Sequence, residues 1–242
     1  MSDEKKSNET EMKEKKYINV DSRATKEGYR PDEVSPAVVK RLPRYFRYLR
    51  EVIRQGKTRV SSAELSRMMN VTASQIRQDL NCFGGFGQQG YGYNVNYLYT
   101  KICELLGVGC GFRALVIGAG NLGSALVRSS MFEKRGVDVV AMVDVRPAVI
   151  GKKIGDVVVY PMDELESLCE KFLVDIVILT LPKENASDAA ERLRHTNIKG
   201  IWNFTGKELE MEESNIIVEN EHIGDSLMTL CYEIARNDEG RK

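Results

Sequence analysis

Two architectures are predicted along this chain. The first is an amino-terminal α+β unit of short helices closed by a hairpin; the second is an α/β unit built as a doubly wound parallel sheet. Three observations predict them. Helix-start signals recur in quick succession, at Ser35-Pro36, at Ser61 with Glu64 and at Thr72 with Gln75. From Phe112 onward, continuous apolar runs alternate with helical stretches. The overall charge of zero is divided unevenly, with 11 basic against 4 acidic side chains over 36–111 and 16 against 22 over 112–242.

Residues 1–34 are rich in Lys, Glu and Ser, lack an apolar period and read as a disordered tail. The domain over 35–111 opens with apolar residues at helical spacing, from Val38 and Val39 through Leu42, Tyr45, Phe46, Leu49, Val52 and Ile53. Pro43 interrupts them and predicts a short segment or kink before the main helix. A short helix with Leu65, Met68 and Met69 follows, then a turn at Asn70-Val71, then a third helix from about Ala73 to Cys82 with Ile76 and Leu80 inward. Two helices split by a tight turn read as a helix-turn-helix. FGGFGQQGYGYNV, residues 83–95, has five glycines interleaved with aromatics and predicts a Gly-tipped β-hairpin, making the unit a winged helix-turn-helix. Leu98, Ile102, Leu105 and Leu106 continue as a helix, and Gly107, Gly109 and Gly111 form a hinge.

In the domain over 112–221, the strands read ALVIG, VDVVAMVD, DVVVY, VDIVILTLP, IKGIWNF and NIIVEN. Helices are expected at about 121–135, 162–172 and 184–195, giving a Rossmann-type sheet. A final amphipathic helix over about 223–236 carries Ile223, Leu227, Leu230, Cys231 and Ile234, within a carboxy-terminal segment 222–242.

Composition excludes several classes. No apolar run reaches the roughly 18 residues of a membrane helix, and the polar start MSDEKKSNET is no signal peptide, so a cytoplasmic protein is expected. The five cysteines, with no CxxC pair, suggest neither a disulfide framework nor a metal site and read as ordinary buried thiols, with Cys82, beside the Gly-rich hairpin, the candidate for a redox-active one.

The chemistry lies in two places. Gly118, Ala119, Gly120, Asn121, Leu122 and Gly123 spell GxGxxG between a strand and a helix. The first glycine makes the turn, the second admits pyrophosphate against the backbone, and the third allows close helix–strand packing. Asp144 ends the second strand, where an acidic group accepts ribose hydroxyls and repels a 2′-phosphate, so NAD(H) is expected. Arg146 argues the other way, since an arginine there can hold that phosphate. The only histidines, His195 and His222, and the short carboxy-terminal part offer little for hydride-transfer chemistry, so a sensed cofactor is expected rather than an enzyme. In the basic unit, Thr72, Ser74, Gln75, Arg77 and Gln78 lead the third helix, where major-groove base edges are read. Arg41, Arg44, Arg47, Arg54, Lys57, Arg59 and Arg67 could meet phosphates, and Gln88, Gln89 and Tyr91 on the wing could follow the adjacent groove.

TASQIRQDL, FGGFGQQGYGYNV, VIGAGNLGSAL, IWNF and VEN together resemble the Rex family of bacterial redox-sensing transcriptional repressors over about 36–236. The resemblance implies a homodimer on double-stranded, inverted-repeat operator DNA, released by NADH and permitted by NAD+, with the last helix exchanged between subunits. It implies cofactor contacts at Thr180, Pro182, Asn203 and Phe204, beside His222 and Ile223, and an interdomain role for Arg47. A nicotinamide pocket closed by Phe204 and Ile223 would favour the neutral NADH over NAD+. The sequence departs from the family pattern at Ser129, at Thr205-Gly206, at Gln88-Gln89, and at His222 and Ile223, where an acidic residue and a Phe are usual. An Asp–Arg pair cannot form through His222. Two alternatives follow: a Rex-like regulator with a weakened NADH response, and an NAD-dependent oxidoreductase with an attached basic domain.

Overall fold

A computed structural model describes residues 35–82, 87–88 and 91–239, without the side chains of 87, 88, 238 and 239. The predicted tail 1–34, the wing tip and Gln89 lie outside the described residues, as does the side chain of Gln88. The chain divides into two compact units between Cys110 and Gly111.

The first unit opens with α1 (Pro36–Val39), where Pro36 occupies a position whose N–H has no helical partner. Pro43 stands in the first turn of α2 (Leu42–Arg54), so it starts the main helix instead of bending it. After β1 (Arg59–Val60), α3 (Ser62–Met69) carries a complete capping box between Ser61 and Glu64. Asn70 turns the chain in the left-handed region at φ 51°, which makes the tight helix-turn-helix corner. α4 (Ala73–Asn81) is capped by the Thr72 hydroxyl alone, because Gln75 directs its amide to Asp79 and not back to Thr72. The expected capping box is therefore half built.

β2 (Gly87–Gln88) and β3 (Gly92–Asn94) form the predicted hairpin, and β1 pairs with the other edge of β3. β1 is too short to show a period, so the sequence does not announce it. Gly92 has φ +70°, and a Cβ there would come within 2.8 Å of the Val60 carbonyl oxygen. α5 (Val95–Leu105) then packs on α2, with Phe46 stacked on Tyr99 at 5.4 Å. Leu49, Leu65, Ile76 and Leu98 close the core without measurable exposure.

The second unit is a seven-stranded sheet. Its strands are β4 (Phe112–Ile117), β5 (Val137–Asp144), β6 (Lys153–Ile154), β7 (Val157–Pro161), β8 (Ile176–Leu179), β9 (Gly200–Asn203) and β10 (Ile217–Asn220). The order is β10-β9-β8-β4-β5-β7-β6, parallel except for the edge pair β6–β7. Without β6 this is the doubly wound dinucleotide-binding order, reversing between β4 and β8. Leu115 and Ile117 enter one buried cluster and Ala114 and Val116 the other, so β4 is apolar on both faces.

The helices are α6 (Asn121–Arg128), α7 (Leu165–Lys171), α8 (Ala186–Leu193) and α9 (Ile223–Glu239). The single helix expected over 121–135 ends at Arg128. Ser129 turns extended and its hydroxyl accepts from Met131 N–H, competing with the helix ladder, and Phe132 is then buried against the sheet. A short 3-10 turn over Glu133–Arg135 follows. The expected helices at 162 and 184 likewise begin as 3-10 turns, each after a proline in extended conformation.

Replacing Leu49 by Ala should lower unfolding free energy by about 2–5 kcal/mol through cavity formation. Val39→Ala, at a residue 45% exposed, should stay within about 0.5 kcal/mol of wild type. Urea denaturation of both variants measures the contrast.

Candidate functional site

The glycine loop sits at the reversal point between β4 and β8. Gly118 has φ +102°, and a Cβ there would lie 2.8 Å from the Thr180 carbonyl oxygen. At Gly123 a Cβ would meet Gly118 O at 2.1 Å and Thr180 Oγ1 at 2.6 Å. At Gly120 nothing lies within 4 Å. The three glycines therefore differ in function: the first turns the chain, the third lets helix and strand touch, and the second leaves an open face. Gly120 is the N-cap of α6 and offers no side chain to its N–H groups, so the helix start has no side-chain cap. Asn121 is exposed and Leu122 half-buried at that end.

Asp144 closes β5 beside this loop and is nearly buried. One carboxylate oxygen accepts from Ala119 N–H at 2.7 Å and from Arg146 Nη2 at 2.9 Å. The other accepts from Arg146 N–H at 2.8 Å and Nε at 2.9 Å. Burial alone would raise its pKa; the Arg146 and Ala119 hydrogen bonds outweigh that and hold it below the ordinary carboxylate value. Arg146 itself is exposed.

The remaining expected cofactor residues lie at or just beyond the carboxyl ends of β8, β9 and β10. Thr180 Oγ1 lies 3.0 Å from Ile117 O and 2.9 Å from Gly118 O, so its hydroxyl braces the glycine loop from behind. Asn203 is buried with its amide fully used: Nδ2 donates to Lys207 O and Asn220 Oδ1, and Oδ1 accepts from Thr205 N–H and Oγ1. It ties the ends of β9 and β10 together. Pro182 is exposed at the carboxyl edge of the sheet, and Phe204 packs on Trp202 at 4.6 Å. His222 is exposed and Ile223 is 63% exposed, so among the described residues Ile223 closes no pocket over Phe204. Ser129 is exposed just beyond α6.

In the first unit, Thr72, Ser74, Arg77 and Gln78 are exposed along α4, and Arg77 Nη1 reaches Ser62 Oγ at 3.2 Å. Tyr91 is 70% exposed on the hairpin, where its carbonyl accepts from Arg59. Arg47 is exposed, its guanidinium 5.2 Å from the Tyr48 ring centre. Arg41 and Arg44, read as phosphate contacts, are engaged inside the unit. Arg44 donates to the Met69 carbonyl at the end of α3. Arg41 grips Asp79 through Nε and Nη2, both at 2.7 Å.

Asp79 is the residue that sequence reasoning missed. It has no exposed surface and also accepts from Tyr45 OH at 2.9 Å and Gln75 Nε2 at 2.8 Å. Burial works against its charge, but the bonds from Arg41, Gln75 and Tyr45 hold its pKa below the ordinary value, and burial beside Asp79 pushes that of Tyr45 up. The available signal was its place three residues after Ile76, on the inward face of α4.

Comparison with known proteins bears on both units. A family model described as "CoA binding domain" matches residues 112–206, and one described as "Putative DNA-binding protein N-terminus" matches 33–81. The redox-sensing transcriptional repressor Rex of Thermoanaerobacter pseudethanolicus is 48% identical over 202 residues, 84% of this chain and 90% of the relative. Rex of Clostridium beijerinckii is 47% identical over 199 residues, 82% and 94% of the two chains. A crystal structure of RSP in complex with beta-NAD+ and operator DNA has a TM-score of 0.79 at 46% identity, covering 86% of this chain and 95% of that one. RSP in complex with beta-NADH gives 0.79 at 43% identity, covering 86% and 97%.

Because the folded pKa of Asp144 is depressed, its contribution to stability is present above the ordinary carboxylate range and lost as pH falls through the folded value. Asp144→Asn should therefore lower the urea midpoint clearly at neutral pH. The gap to wild type should shrink once both proteins are below that range, and an unchanged gap would contradict the assignment.

Proposed function

The chain belongs to the Rex family of redox-sensing transcriptional repressors, and we propose that it represses transcription from operator DNA and is released from it by NADH. The observation that carries the cofactor half is the open face at Gly120 between two glycines with no room for a side chain. Pyrophosphate would lie against the backbone from Gly118 to Gly123 and the amino end of α6, with the ribose hydroxyls on Asp144. Pairing of Arg146 with Asp144 supports NAD(H) over its 2′-phosphorylated form, since the arginine is drawn onto the carboxylate. It also means that a ribose hydroxyl must compete with Arg146 for the outward lone pairs of Asp144. Pro182 and Phe204, at the carboxyl edge of the sheet, are assigned to the nicotinamide side. The bound dinucleotide acts as a ligand whose redox state is sensed, without turnover, in the cytoplasm.

The nucleic-acid half rests on the exposed row Thr72, Ser74, Arg77 and Gln78 at the leading end and outer face of α4, with Tyr91 on the wing. Arg59, Arg54, Lys57 and Arg67 supply backbone contacts and salt dependence. The working form is a homodimer matched to an inverted repeat. Ile223, Leu227, Leu230 and Ile234 recur at spacings of four, three and four along α9, each more than half exposed. That is the seam of a helix packed against another helix, here the partner subunit. A carboxylate facing Arg47 cannot come from His222, so the switch must run through other contacts.

Operator binding at fixed salt, titrated with NADH in the presence of NAD+, tests the reading. NADH should weaken binding more than NAD+ does, and equal effects would refute redox sensing. Gly120→Asp adds a carboxylate where nothing stands in its way, so the variant should fold normally and lose NADH binding; unimpaired NADH binding would refute the site. A chain ending at residue 222 should sediment as a monomer at concentrations where the full chain is a dimer.

A further inference from the structure

We propose that Asp79 is a positioning residue for base reading: from the interior of the first unit it fixes which end of the Gln75 amide faces the nucleic acid. The inference rests on the DNA-binding reading of α4 and deepens it to the class of base contacted. Gln75 lies in the first turn of α4, half-buried, one helical turn before Asp79. An ionised carboxylate only accepts hydrogen bonds. The group of Gln75 that lies 2.8 Å from Asp79 Oδ1 must then be the Nε2 amino group, which leaves the carbonyl Oε1 as the other end of the amide.

What makes this orientation permanent is the rest of the buried cluster. Arg41, between α1 and α2, binds both carboxylate oxygens, and Tyr45 of α2 donates its hydroxyl to Oδ2. Neither partner is a neighbour in sequence, so Asp79 cannot turn away without breaking bonds to another part of the unit. An unrestrained surface glutamine can present its amide either way round. One held before DNA arrives loses less freedom on binding and offers one pattern only.

That pattern is an acceptor, Oε1, with the second N–H of the amino group beside it. It fits a base whose major-groove edge carries an amino donor, above all adenine with its N6 amino group and N7 acceptor. Guanine offers only acceptors there, and so is disfavoured. Arg77 and Gln78, exposed on the same helix, make no bond to Asp79 and are not held by it.

The test is operator binding at fixed salt against duplexes varied one base at a time, for wild type and Asp79→Asn. Wild type should prefer an amino-bearing base at one position by about tenfold, the scale of a good paired contact. The variant should lose that preference at that position alone, with other positions and the salt slope unchanged. Retained preference, or a uniform loss at every position, would overturn the role of Asp79. Should the variant fail to fold, NMR of the wild-type Gln75 side-chain amide without DNA decides the matter. A restrained amino group in slow exchange supports the proposal, and a freely averaging one overturns it. If wild type discriminates among no duplexes, the DNA-binding reading itself fails, and this inference with it.

Discussion

Where the order of the sheet reverses, β4 and β8 run side by side and the chain leaves both at the same edge. Gly118 and Thr180 follow those strands, and the backbone there is so close that a single Cβ at Gly118 or Gly123 would strike it. The contact does more than permit packing. It sets the start of α6 over the edge of the sheet, leaves Gly120 facing open space, and brings Ala119 N–H within 2.7 Å of Asp144 at the end of the next strand. Thr180 adds a hydroxyl that ties the loop and the end of β4 to the end of β8. The start of α6, the open backbone at Gly120 and the Asp144 carboxylate therefore occupy one edge, because Gly118 and Gly123 have no side chain to hold β4, β8 and α6 apart.

Each unit also contains a buried aspartate held by an arginine, and the contrast between them is instructive. Asp79 is bonded by Arg41, 38 residues away, and by Tyr45, so its charge is locked between helices. Asp144 is bonded by Arg146, two residues on, whose side chain is 53% exposed. A pair closed by a solvent-exposed neighbour opens at little cost, whereas removing one partner of a buried pair leaves an uncompensated charge. The first arrangement is fixed by the packing of its unit, and the second can exchange its arginine for another partner.

Much of this was legible in the sequence because it depends on local pattern. Apolar runs give the strands, Ser61 with Glu64 gives a helix start, and GxGxxG gives the tight turn between β4 and α6. What escaped depends on partners far along the chain. Arg41 and Arg44 count as basic side chains in composition, yet their bonds to Asp79 and Met69 are made only when α2 packs on α3 and α4. Asn203 was read as a cofactor residue alone, and its bonds to Lys207, Asn220 and Thr205 at the end of β9 are not visible in the sequence. The break after Arg128 was missed because helical spacing continues through Leu126 and Val127 toward Met131, while Ser129 between them competes for the backbone.

That same Asn203 gives the proposed switch a route that does not need a carboxylate at position 222. Its side chain bonds Asn220 at the end of β10, and its carbonyl accepts from Glu221 N–H at 2.8 Å. The Trp202 indole N–H lies 3.3 Å from the Glu221 carboxylate on the same stretch, and Trp202 in turn carries Phe204 against its ring. Only His222 separates Glu221 from the first residue of α9. Under the proposed switch, a change in how Phe204 and its neighbours are packed at the sheet edge would pass by hydrogen bonds and a few covalent links to the start of the helix whose apolar seam is proposed to meet the partner subunit. Packed elements of this kind shift as units and do not deform smoothly. The energy available to such a shift is bounded by the difference in affinity between the two redox forms for the two arrangements, whatever route carries it.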